Sequence, residues 1–152
     1  MTTIYKNLKI TSTDKRGQKV APLIDNSNYH IITVTNIDTK KFIRFEFWSS
    51  MASPRIITNE DLLQAFECFV NDAVAGAENE SFEDFCGAFG YDVYDEDIVY
   101  GNYDKPETLR RPYNKKALKA HKGCLKAREQ AQKVIDGCLW EFAGELYDTI
   151  NN

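Results

Sequence analysis

Residues 81–92, Ser-Phe-Glu-Asp-Phe-Cys-Gly-Ala-Phe-Gly-Tyr-Asp, place the tightest local constraint on how this chain can fold. Ser81 stands where an N-cap would accept from the amide of Asp84. Phe82, Phe85, Cys86 and Phe89 recur at helical spacing, and Gly90 supplies a left-handed stop. The pattern predicts a two-turn helix with one heavily apolar face. So short a helix is marginal alone, so its three phenylalanines call for burial, and the strands and longer helices are expected to gather on them.

The flanking sequence supplies those elements. Ile4, Leu8 and Ile10 suit an opening strand, followed by turn residues at 14–17 and a loop at 25–28. Residues 29–35 and 41–49 are rich in β-branched and aromatic side chains across a short polar connection, which predicts a hairpin. In its second strand Ile43, Phe45 and Phe47 alternate with Arg44 and Glu46, as a sheet with one buried face requires, and Phe42 and Trp48 are expected to be covered locally.

Past Pro54, Thr58 with Asp61 reads as a capping box, and Ile57 with Leu62 as a hydrophobic staple. The helix they open carries Leu62, Phe66, Phe69, Val70 and Ala73 on its core stripe and is expected to end at Ala75-Gly76-Ala77. From the N-cap Asn114, Ala117, Ala120, Cys124, Ala127, Ala131, Val134 and Cys138 define a helix with a small-residue stripe. Gly123 inside it costs about 1 kcal/mol relative to alanine, which suggests a close contact there. Asp136-Gly137 breaks the pattern before a last amphipathic helix bearing Leu139, Phe142, Ala143, Leu146 and Ile150. The expectation is an α+β fold: one domain over residues 1–152, an N-terminal antiparallel sheet with its hairpin at 29–49, and three or four packing helices.

Residues 91–113 interrupt this regularity. They set Tyr91, Tyr94, Tyr100, Tyr103 and Tyr113 among Asp92, Asp95, Glu96, Asp97 and Asp104, and cross Pro106 and Pro112. They show neither helical period nor sustained alternation beyond a brief edge strand at 98–100, and so long a loop in a compact domain tends to be functional or disordered.

Charge is segregated as well. Residues 58–104 carry thirteen acids and no base, and residues 105–133 carry ten bases against two acids, within a net charge of −4. Either the two blocks lie side by side and neutralise one another, or one forms a single-sign face for an oppositely charged partner.

Chemical motifs are few. The two histidines, His30 and His121, stand in no nucleophile signature, and the glycines at 87 and 90 lack the Lys-Ser or Lys-Thr of a phosphate loop. Cys68, Cys86, Cys124 and Cys138 have no zinc-knuckle spacing and read as reduced core residues. Asp92, Asp95, Asp97 and Asp104 invite a hard cation, but Val99 and Tyr100 stand where a calcium loop would need an oxygen ligand and a glycine. No enzyme, cofactor or metal is expected. No apolar run is long enough to cross a bilayer and no secretory signal opens the chain, so a cytoplasmic location without membrane association is expected.

The Phe-x-x-Phe-Cys and Phe-Gly-Tyr-Asp segment resembles a group of small proteins of phage and mobile-element genomes, most without an assigned function. Asn71-Asp72-Ala73 upstream and a Lys-Ala, cysteine-containing helix downstream belong to the same pattern, which runs from about residue 29 to 135. The acidic, tyrosine-rich insertion departs from it. The resemblance implies an accessory protein, and a frequent task of such proteins is to block a host defence. On this reading Tyr91, Tyr94, Asp95, Glu96, Asp97, Tyr100, Tyr103 and Asp104 engage a basic groove on a nucleic-acid-processing host protein, such as a CRISPR effector, as a stoichiometric inhibitor. The alternative is direct nucleic-acid binding by Arg110, Arg111, Lys115, Lys116, Lys119, Lys122 and Lys126.

Overall fold

A computed structural model describes residues 2–14, 23–24, 29–48, 55–95 and 112–152. Strands β1 (Thr2–Tyr5), β2 (Leu8–Asp14), β4 (Tyr29–Asn36) and β5 (Phe42–Trp48) form an antiparallel sheet in the order β1-β2-β4-β5. Strands β3 (Leu23–Ile24) and β6 (Arg55–Ile56) pair separately. Helices α1 (Asn59–Glu78), α2 (Phe82–Phe89), α3 (Lys115–Val134) and α4 (Leu139–Asn151) complete the α+β fold. The expected single opening strand is in fact a hairpin: the chain reverses between Tyr5 and Leu8 through Lys6, whose positive φ of 53° the turn requires.

Strand alternation sends Leu8, Ile10, Ile32, Val34 and Ile43 to one face; there β1 and β2 pack on α1, β4 and β5 pack on α3, and Tyr5 meets Phe142 of α4. The outer face carries a threonine row, with Thr2 opposite Thr11 and Thr11 opposite Thr33. Asn36 locks the inner face to α3. It is buried, its Oδ1 accepts from the amides of Asp38 and Thr39 in the hairpin turn, and its Nδ2 donates to the Val134 carbonyl at 2.9 Å. One side chain therefore fixes both the turn and the end of α3.

The organising element is α1. Its capping box forms as expected, with the Thr58 amide donating to Asp61 at 2.8 Å and the Asp61 amide to the Thr58 hydroxyl at 3.3 Å. Ile57, Leu62, Phe66 and Val70 are fully buried in the main core. The 81–92 segment keeps its predicted caps, Ser81 and Gly90, but not its predicted centrality. Only Phe85 and Cys86 of its apolar face are buried, and Phe89 is 52% exposed. Eight residues cannot cover three aromatic rings from all sides, whereas the twenty of α1 span the sheet.

Two glycine expectations are also corrected. The helix does not end at Ala75-Gly76-Ala77 but runs through Gly76 to Glu78. Gly76 is buried against α3, where an added Cβ would stand 2.2 Å from the Cys124 carbonyl oxygen. The close approach expected at Gly123 occurs at Gly76; a Cβ on Gly123 meets nothing within 4 Å among the described residues. Since Gly76 meets Cys124 and Asn79 meets His121, α1 and α3 run antiparallel.

Candidate functional site

The start of α3 is anchored by the segment before it. Asn114 accepts from the amides of Lys116 and Ala117, and its Nδ2 donates to the Asp92 carbonyl at 3.1 Å. The Asn114 amide donates to Val93 and the Asp95 amide to Pro112, while Tyr94 and Tyr113 form a bridge with rings stacked at 5.5 Å. Residues 92–95 and 112–114, at the two ends of the predicted insertion, are thus held together in one clamp.

Of the expected partner-binding set, Tyr91, Tyr94 and Asp95 lie beside this clamp, with both tyrosines exposed. Glu96, Asp97, Tyr100, Tyr103 and Asp104, and the 98–100 edge strand, fall outside the described residues, as do Arg110 and Arg111. Lys115, Lys116, Lys119, Lys122 and Lys126 are all exposed on α3.

On a helix of 3.6 residues per turn, Lys115, Lys119, Lys122, Lys126 and Lys133 fall within an arc of about 60° along about 27 Å. Their line is opposite Ala117, His121, Cys124 and Ala131, which are buried. Among the described residues the ion pairs are Arg128 with Glu80 and Lys6 with Glu145, both solvent-exposed. Among the described residues the acidic and basic blocks therefore meet through one ion pair, and Lys115, Lys119, Lys122 and Lys126 form none. The first-turn charges of α3 also oppose the helix itself. The first turn of α3 has two lysines and no acid, although acids begin both α1 and α2. Cations at the positive helix end, and like charges at i, i+4, are each unfavourable.

A groove of about 910 Å³ runs beside this line, between β5 on one wall and α3 on the other. Arg44 and Glu46 enter it from β5, Asp72 from α1, and Lys116, Lys119 and Lys126 from α3. Its aromatic side is layered. Phe45 stacks on Phe69 at 4.4 Å, and Tyr91 (38% exposed) and Phe89 lie against the buried ring of Phe85 at 5.9 and 4.7 Å. Gly123 lies on the α3 wall. The groove's end members were individually legible in the sequence, but their meeting depends on how α2 folds back on α3.

His121, read from the sequence only as a histidine of the basic helix, is buried. Its Nε2 donates to the Asn79 carbonyl at 2.9 Å, and its ring lies 5.0 Å from Phe85. Its helical spacing from Ala117 and Cys124 is the signal that places it on the inner stripe. His30 is likewise buried on the core face of the sheet. Phe42 is not covered as expected: it is 45% exposed, with Arg44 and Lys133 over its ring at 5.2 and 5.6 Å.

Of the four cysteines expected in the core, Cys86 and Cys124 are buried, but Cys68 and Cys138 are exposed, and Cys138 caps α4 instead of extending the α3 stripe. All four are free thiols. Burial pushes the Cys68, Cys86 and Cys124 thiols above their ordinary pKa, helped by nearby carboxylates, so the reactive thiolate is disfavoured. Among the described residues no three His, Cys, Asp or Glu side chains cluster as a metal site would require, and no helix is long and apolar enough to cross a membrane.

No protein-family model matches the chain, and no curated protein or solved structure matches it either.

Proposed function

We propose that this chain is a non-catalytic nucleic-acid-binding protein that acts through the lysine line of α3. The observation carrying the reading is that the N-terminal part of α3 bears its charges against the helix's own stability. Two lysines occupy a first turn that favours acids, and Lys115, Lys119, Lys122 and Lys126 are spaced as adjacent like charges. A polyanion laid along the line would offset both costs and release counterions as it binds.

The reading is tested by fluorescence anisotropy of a labelled oligonucleotide over a salt titration. Affinity should fall steeply with salt, and a Lys115/Lys119/Lys122/Lys126→Gln variant should flatten the log–log slope by roughly 3 on a single strand. An unchanged slope, or no binding by the native protein at low salt, would sink the proposal.

A second reading rests on the exposed Tyr94–Tyr113 stack at the clamp, next in sequence to the acidic residues 95–97. Aromatic anchors beside carboxylates suit a basic protein surface. In line with the resemblance to phage and mobile-element accessory proteins, the chain would then inhibit a host nucleic-acid-processing defence protein. Binding of such a protein in nuclease-treated solution, together with indifference to oligonucleotides, would favour this reading over the first.

A further inference from the structure

We propose that the groove between β5 and α3 is a nucleobase pocket, so that the strand held on the α3 lysines is recognised as single-stranded, with an unpaired base seated against the aromatic wall. This inference rests on the nucleic-acid reading above and names the form of nucleic acid it takes.

Three independent features of the groove converge on that occupant. The first is the aromatic wall. Phe89 and Tyr91 expose ring surface but are already held against the buried Phe85, so a base would stack on rings that need little further ordering. The second is the placement of charge. Arg44, Lys116, Lys119 and Lys126 outnumber Glu46 and Asp72, and Lys119 and Lys126 belong to both the groove and the solvent line. A backbone phosphate on those two lysines leaves its base at the groove. The two carboxylates would repel a phosphate that entered, yet they accept hydrogen bonds from the exocyclic amino group of cytosine, adenine or guanine. Duplex DNA hides its base faces in the stack and cannot offer them.

Gly123 is the third feature. A glycine in a helix interior costs about 1 kcal/mol, and at Gly76 the close passage of α3 accounts for the cost. At Gly123 no packing among the described residues accounts for it, because an added Cβ has open space. The residue lies on the groove wall between Lys119 and Lys126, where a missing side chain lets a flat ligand approach the helix backbone. The fold therefore forgoes stability at the point where the ligand would need room.

The test compares a labelled 12-nucleotide cytosine–adenine strand with the same strand annealed to its complement, using the full chain and two variants, Gly123→Leu and Phe89→Ala. The native protein should prefer the single strand by about tenfold or more. Gly123→Leu fills the groove and should abolish that preference while leaving duplex affinity and salt slope intact, with an unchanged or raised melting temperature. Phe89→Ala removes stacking surface without adding bulk and should reduce the preference. If native protein binds strand and duplex equally, or if both variants keep the full preference, the pocket is overturned while the lysine reading stands. Binding of neither overturns both.

Discussion

Helices α1 and α3 are both twenty residues long, lie antiparallel and share an interface, yet they are built on opposite terms. α1 opens with a capping box and acidic first turn and buries Leu62, Phe66 and Val70 completely. α3 opens with lysines and buries chiefly alanine, cysteine and a histidine. Apolar burial stabilises by roughly 25 cal/mol per Å², so α1 supplies far more of the core than α3. Where a helix contributes little to stability and arranges its charges against itself, the account of its sequence has to come from its surface.

The contrast can be broken at its strongest point first. Phe66→Ala on α1 should destabilise by about 3–5 kcal/mol, since the ring is fully buried between the sheet and Phe142, with which it makes a T-shaped contact at 5.8 Å. Denaturant unfolding measures this, and a loss near that of a surface substitution would remove α1 from its organising role. Next in size is the glycine pair. Gly76→Ala drives a Cβ into the α3 backbone and should cost about 1–3 kcal/mol, whereas Gly123→Ala should stabilise by up to about 1 kcal/mol. Opposite signs in thermal melts sharpen the comparison; equal signs would mean that the two helices do not meet as described.

The smallest effect concerns Asp72, on the α1 side of the groove. Desolvation raises its folded-state pKa above the unfolded value, so the folded protein takes up this proton at a higher pH than the unfolded chain does. The associated stability is fully present below the unfolded pKa and is lost as pH rises through the folded one. Asp72→Asn should therefore remove a shallow decline in stability on the alkaline side of the ordinary carboxylate range. The effect is modest because the carboxyl remains partly solvated. An identical pH dependence in the variant would show that this desolvation is not felt.

The parts of the fold that were legible in the sequence are those decided within a few residues. Thr58 and Asp61 cap α1, Asn114 caps α3, Gly90 and Gly137 turn left-handed after their helices, and Ile43 alternates with Arg44 on β5, because capping, chirality and strand pleat are local. The positions misread or left unread are those where one residue answers to a distant one. Gly76 is in the helix because Cys124 passes it, and Asn36 is buried because Val134 ends beside it. The pattern of Phe82, Phe85 and Phe89 was visible, but not that α2 is too small to bury all three.

The candidate site divides in the same way. Periodicity alone puts every lysine of α3 except Lys116 on one line, since 3.6 residues per turn leaves no other arrangement. Which strand stands beside that line, how Phe89 and Tyr91 fold back over Phe85, and why Gly123 opens onto a groove while Gly76 closes onto a helix were decided by the tertiary structure. A helix face is a property of its own sequence, whereas a groove belongs to the space between elements whose neighbours the chain chooses only when it packs.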